Sequence, residues 1–206
     1  MDSYPPGSGT EQILTQQVLP SYRGSELHVH VSGSISASLV PWWIHWLRYT
    51  SPSVIVNVSV SENAQRFVSV EALKHLANGE VWLDAWDYPS LSTAWRAGRT
   101  GLSEGIVIFP ATLDTVMRLS QGRSDTPALM MMQITKIPIV IAQVSPAENE
   151  IISHWRNILA LRPNVFFVPE IEGVRADDRT IASSGFNLPG ALDILNAFLD
   201  EPPAGP

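Results

Sequence analysis

Alternation constrains this chain more than any other feature. Short apolar runs rich in β-branched residues recur between stretches of helical periodicity. The runs are Leu27–Ser32, Val54–Val60, Val81–Leu83, Gly105–Phe109, Ile137–Gln143 and Asn164–Val168, each of strand length. Between and after them, Ile35–Tyr49, Glu62–Ala77, Ala111–Gln121, Ala147–Leu161 and Pro189–Leu199 read as helices. Parallel neighbours need crossover connections, so this order predicts an α/β fold, a three-layer sandwich on a mainly parallel sheet.

With 206 residues, 45% hydrophobic and 16% charged, the chain can bury one substantial core. That core is expected as a single domain over residues 25–200. Residues 1–24, rich in Pro, Gly, Ser and Gln, read as a mobile arm, and 201–206 as a fraying tail. The net charge of -7 argues against nucleic acid as a partner, because counterion displacement needs a basic surface. There is no cysteine, which excludes disulfides, thiolate metal sites and a cysteine nucleophile. The opening MDSYPPGSGTEQ lacks the basic and apolar regions of a secretory signal. The longest apolar stretch, Ile134–Val144, is too short to span a bilayer and contains Lys136 and Pro138. The expectation is a cytoplasmic protein without a membrane partner.

Ligands of open parallel sheets sit beyond the carboxyl ends of the strands. The stretches there, Ser32–Ser36, Ser59–Asn63, Pro110–Thr115 and Ser145–Asn149, are all small or polar, which points to a nucleotide-like ligand. In HVHVSGSISASLVPWW the SGSIS loop offers Gly33 for close backbone approach and hydroxyls for a phosphate. It lacks both the GxGxxG fingerprint and the Walker lysine, so neither NAD binding nor P-loop hydrolysis is supported. The same loop also reads as an ordinary turn, and Ser61 as a plain helix cap. In IVIFPATLDTVMRLSQG, Pro110 ends a strand, Thr112 can cap the next helix and Asp114 lies in its first turn. In QVSPAENEIISHW, Asn149 lies near a helix start, where its amide can both donate and accept.

At these two loops the chain resembles a family. PATLDT is similar to the PASANT motif, and SPAEN to the PxMN motif, of homo-oligomeric flavin-containing cysteine decarboxylases. That family includes phosphopantothenoylcysteine decarboxylase and the enzymes that decarboxylate a C-terminal cysteine of lantibiotic precursor peptides. SGSISA resembles its first flavin-phosphate loop, and ASSGFNLPGALDILNAFL the segment that begins with the substrate clamp. The resemblance implies a Rossmann-like, flavodoxin-type fold, FMN or alternatively FAD as cofactor, and a trimer or dodecamer. It places Gly33, Ser34, Ile35 and Ser61 at the cofactor phosphate and Pro110, Ala111, Thr112 and Ala147 around the isoalloxazine. Asn149 would hold the departing carboxylate or the flavin edge.

The departures carry information too. Asp114 stands where the motif has asparagine, and Glu148 where it has methionine. The family's active-site histidine is expected about fourteen residues before the motif proline, judged from strand and loop lengths. Arg96 falls near that place, and SLSTAWRAGRTGLSEGIVIFP contains no histidine. Arg96 suits a peptide carboxylate but stays protonated and cannot serve as a base. Asn149, Asp114 and Arg96 are therefore the candidate catalytic residues. His28 and His30 share a strand face, but no third metal ligand is evident and no metal is expected. Trp42 and Trp46 share a helical face at i, i+4, while Trp43 does not, and an aromatic excess of this kind suits a subunit interface or a peptide groove.

The activity implied by the resemblance is oxidation of a peptide's C-terminal cysteine to a thioaldehyde, with flavin as electron acceptor. The thioaldehyde is an electron sink, so CO2 leaves and an enethiolate remains, the precursor of aminovinyl-cysteine in lantibiotics. The peptide is preferred over phosphopantothenoylcysteine because this chain departs from the motifs at the histidine and PxMN positions. A flavin prenyltransferase and a non-catalytic flavin-binding regulator are the alternatives.

Overall fold

The computed structural model describes residues 20–87, 103–144, 149–174 and 181–200. Arg96 and Ala147 lie outside them, as do residues 1–19 of the expected arm and the tail 201–206.

Six strands form one parallel sheet: β1 (Glu26–Val31), β2 (Ile55–Val60), β3 (Val81–Leu83), β4 (Gly105–Thr112), β5 (Ile139–Val144) and β6 (Val165–Phe167). Their order across the sheet is β3-β2-β1-β4-β5-β6. The chain builds outward from β1 to one side, then returns and builds to the other. The reversal lies between β1 and β4, where an open α/β sheet forms its ligand crevice.

Among the described residues six α-helices flank the sheet: α1 (Val40–Thr50), α2 (Val70–Leu76), α3 (Leu113–Ser120), α4 (Pro127–Ile134), α5 (Glu150–Ala160) and α6 (Leu188–Asp200). Alternating strand side chains feed two cores. Val29, Val58, Val107 and Phe109 face α1, α2 and α6, packing with Ile44, Leu47, Leu73 and Leu192. Ile106, Ile108, Ile139 and Ile141 face α3, α4 and α5, with Val116, Leu119, Met132 and Leu159. This is the predicted three-layer sandwich.

Several boundaries differ from the sequence reading. The expected helix over 35–49 is a 3-10 turn, Ile35–Leu39, followed by α1. Pro41 explains the break: without an N–H, and with a ring that crowds the carbonyl four residues back, it is accommodated only in a first turn. The 62–77 helix likewise divides into a 3-10 turn, Glu62–Arg66, and α2, which Ser69 caps by accepting from Ala72 N. β4 does not stop at Phe109 but runs through a cis Phe109–Pro110 bond to Thr112. Helix α4 was not anticipated, since PALMMMQI is apolar on nearly every side and shows no stripe. An antiparallel pair, β7 (Ile171–Val174) with β8 (Ile181–Ser184), precedes α6.

At the opposite edge of the sheet from the crevice, the two ends of the described chain are tied together. Arg23 N donates to Asn196 Oδ1 at 2.9 Å, Asn196 Nδ2 to Ser21 O at 2.7 Å, and the Arg23 guanidinium pairs with Asp200. Tyr22 is buried, and its N–H donates to Ser51 Oγ at 2.9 Å. The mobile-arm expectation for 1–24 therefore fails at Tyr22 and Arg23.

Candidate active site

The reversal point is held by one hydroxyl. Ser32 follows β1 and is 1% exposed; its Oγ donates to Pro110 O at 2.7 Å and accepts from Thr112 N at 2.8 Å. The first loop is thereby joined to the end of β4. Gly33 follows, and a Cβ there would lie 2.6 Å from Asn63 Cβ and 2.9 Å from its carbonyl carbon. Glycine is required because the loop after β1 touches the loop after β2, bringing the two starts of 3-10 turns side by side. Ser34 caps one by accepting from Ser36 N, and Ser61 caps the other by accepting from Ala64 N. Each serine keeps its own O–H to donate. Ile35 beside them is 63% exposed, so it offers an apolar surface rather than a core contact.

The end of β4 is irregular. Ile108 pairs with Ile141, but the next register partner of Gln143 is Ala111, so β4 carries one extra residue there. The bulge returns Ala111 to the face that Ile108 occupies, where it lies opposite Gln143. Gln143 is 8% exposed, and its Oε1 is buried without a hydrogen-bond partner among the described residues. Gly185 N donates to Gln143 O at 2.9 Å, and any Cβ on Gly185 would reach 2.9 Å from the Gln143 backbone. Strand β5 is therefore pinned at this point.

Two helices start from this end of the sheet. Thr112 caps α3 through Thr115 N and also shares a 3.0 Å hydroxyl contact with Thr115. Asn149 caps α5, its Oδ1 accepting from Ile151 N and Ile152 N, both at 3.0 Å. The Asn149 acceptor is thus occupied, while its Nδ2 donors are not used by the cap. Asp114 lies in the first turn of α3, is largely exposed and faces Arg118 at 3.7 Å. In sum, the structure gathers Gly33, Pro110, Ala111 and Thr112 through Ser32, places Ser34 and Ser61 on adjoining turns, and sets Asp114 and Asn149 on separate helix starts.

Beneath the first loop lies a buried polar chain. His28 Nε2 and His30 Nδ1 each lie 2.8 Å from Ser59 Oγ. Ser59 has one proton and two lone pairs, so at least one imidazole donates to it and at most one accepts from it. Burial pushes His28 down to about 3, with His30 adding to the effect. Burial also lowers His30, with the Asp84 carboxylate opposing the shift and Arg118 reinforcing it. Both rings are neutral. His28 packs edge-on against Trp82 at 4.9 Å. No group of three His, Cys, Asp or Glu side chains among the described residues could hold a metal ion.

On the other face, Phe109 stacks on Phe186 at 4.1 Å, and Trp43 meets both edge-on. Trp43 and Trp46 pack against the core while Trp42 is 58% exposed, so the i, i+4 pairing of Trp42 with Trp46 is replaced by an i, i+3 pairing of Trp43 with Trp46. The sequence reading did not single out Ser32 as the joint or Gln143 as a site residue. Ser32 opens the quoted SGSIS loop, but Gln143 becomes visible only through the bulge that sets its neighbour.

Comparison with known proteins agrees with this geometry. A protein-family model described as Flavoprotein matches residues 16–183. A Streptomyces sp protein, cypemycin cysteine dehydrogenase (decarboxylating), is 56% identical over 184 residues, covering 89% of this chain and 97% of that protein. The crystal structure of the cypemycin decarboxylase CypD superposes with a TM-score of 0.77 at 54% identity, over 87% of this chain and 96% of that one. The FMN-dependent cysteine decarboxylase TvaF from thioviridamide biosynthesis shares the fold, with a TM-score of 0.60 at 24% identity over 68% and 88% of the two chains.

Proposed function

The chain belongs to the Flavoprotein family, and from that premise we propose that it decarboxylates the C-terminal cysteine of a ribosomal precursor peptide, using FMN as oxidant. The observation that carries this reading is the 56% identity, over nearly the whole of both chains, to a decarboxylating cysteine dehydrogenase.

The residues present fit a flavin. The crevice lies at the reversal between β1 and β4, the small Ala111 stands at the end of β4 opposite Gln143, and the buried amide oxygen of Gln143 awaits a donor. Ser34 and Ser61 would hold the phosphate with their free O–H groups, supported by Gly33 and Ile35. Pro110, Ala111, Thr112 and Ala147 would surround the ring system. FMN supplies a two-electron acceptor when bound.

The substrate loses two electrons and two hydrogens as its CH2–SH becomes a thioaldehyde. The Cα–carboxylate bond then breaks, its electron pair moving toward sulfur, and CO2 departs with an enethiolate left behind. Asn149 is suited to orient the carboxylate through Nδ2, because its Oδ1 is committed to the α5 cap. Arg96 would supply a second, bidentate contact to that carboxylate. Asp114, exposed in the first turn of α3, can accept a proton from substrate at the mouth of the crevice rather than in its depth.

A homo-oligomer, trimer or dodecamer, belongs to the same reading and is supported by the exposed Ile35, Leu39 and Trp42 beside the first loop. Analytical ultracentrifugation tests it. No helix among the described residues is long and apolar enough to cross a membrane, and action in the cytoplasm, where precursor peptides are made, is part of the proposal. The deciding experiment records the visible spectrum of the purified protein and then follows the mass of an added peptide ending in cysteine. A yellow protein and a peptide lighter by CO2 and two hydrogens are expected. A yellow protein that leaves the peptide intact would shift the reading to a flavin-binding regulator, and a colourless one that takes up no FMN would end it.

A further inference from the structure

Gln143 has a buried side-chain oxygen with no hydrogen-bond partner among the described residues. A buried amide oxygen without a donor is disfavoured relative to one that is paired, and native structures keep few such groups. Two helix starts at this end of the sheet, those of α3 and α5, have N–H groups already capped by Thr112 and Asn149. Asp114 and Glu150 occupy the first turns of these helices, adding acceptors rather than donors. The contact between Gly185 and the Gln143 backbone prevents the strand from turning its side chain away.

Resting on the flavin reading, we propose that Gln143 positions the flavin by accepting a hydrogen bond from the imide N3–H of the isoalloxazine ring. The imide presents one donor between two carbonyl acceptors. A primary amide is its complement, with Oε1 facing the N–H and Nε2 available to a flanking carbonyl. Burial selects the flavin over the peptide as the donor. At 8% exposure Gln143 lies too deep for a chain end that enters and leaves each turnover, but at a depth suited to a resident ring. The bulge in β4 serves this arrangement, because it places Ala111, which has no side chain beyond Cβ, opposite Gln143.

The test measures flavin affinity and not turnover, using FMN and 3-methyl-FMN, which lacks the N3 proton, with wild type and Gln143→Leu. Wild type is expected to bind 3-methyl-FMN about tenfold more weakly than FMN, the scale of one good hydrogen bond. Gln143→Leu is expected to bind FMN about tenfold more weakly than wild type and to bind the two flavins alike. The flavin-free variant should melt no lower than flavin-free wild type, since it removes an unpaired polar atom. Equal FMN affinity in the two proteins overturns the proposal, as does undiminished discrimination against 3-methyl-FMN in the variant. Unchanged FMN affinity with weakened binding of a cysteine-ended peptide would overturn it in favour of a substrate contact. Should the variant not fold, equal binding of both flavins by wild type alone overturns it. Wild type that binds neither flavin defeats the function reading and this inference together.

Discussion

Replacing Ser32 by alanine isolates the joint between the two loops of the crevice. The side chain is 1% exposed and its Oγ makes two bonds, to Pro110 O and from Thr112 N. The two losses are unequal. Pro110 O keeps a second donor, Ser32 N at 3.3 Å, so that side loses one ordinary hydrogen bond, about 1 kcal/mol. Thr112 N loses its acceptor while half-buried, which adds about 1–2 kcal/mol. Ser32→Ala should therefore cost about 2–3 kcal/mol, read as a lower denaturant midpoint at unchanged m-value and fixed protomer concentration. FMN affinity should fall as well, since the loop after β1 is no longer fixed against β4. The control is Ser38→Ala, whose exposed hydroxyl bonds Ile35 O at 2.7 Å and should matter by less than about 0.5 kcal/mol. If Ser32→Ala is no more destabilising than Ser38→Ala, the crevice is not held by this hydroxyl and the reasoning is wrong.

Further outcomes can be checked with the same preparations. Gly33→Ala should destabilise by about 1–3 kcal/mol and weaken FMN binding, because the added methyl meets the Asn63 backbone; an unchanged melting temperature would contradict the close approach. Asn149→Ser should keep the α5 cap and hence stability, yet raise KM for a cysteine-ended peptide, whereas Asn149→Ala should lose about 1 kcal/mol of stability as well. His28 is neutral in the fold with its pKa lowered from 6.5 to about 3. The folded state binds fewer protons than the unfolded chain in that window. Stability is thus full above 6.5 and falls as pH drops toward 3, by about 3 kcal/mol between pH 7 and 4.5. His28→Gln should make this acid limb shallower, and equal limbs in the two proteins would contradict a buried neutral imidazole.

The strands were legible because they are short apolar runs in which Val and Ile recur, the composition a buried parallel sheet favours. The caps at Thr112 and Ser61 were legible because each is a small polar residue at the head of a helix pattern, whereas the cap at Asn149 was hidden by a helix pattern that reads from Ala147. Helix α4 escaped because a segment buried on most sides has no polar face to mark its period, although Thr126 and Pro127 form a cap and first turn in plain view. The division of 35–49 was signalled by Pro41 and passed over. Trp43 and Trp46 are i, i+3 neighbours, which share a helix face as i, i+4 pairs do, so spacing alone does not decide whether Trp42 or Trp43 faces the core. Gln143 could not be read at all. Its role follows from a register shift in β4 that no local pattern announces.

The clasp of Arg23 and Ser21 with Asn196 and Asp200 has a practical consequence. It lies at the amino edge of the strands, while the crevice lies at their carboxyl edge. A reporter, an immobilising linker or a carrier protein grafted at residue 20 or residue 200 would set out from the rear of the molecule, leaving the approach to the crevice open. The two positions are also near enough for a short bridge, so the molecule is a natural candidate for circular permutation, with new ends opened in a surface connection such as the one between α3 and α4.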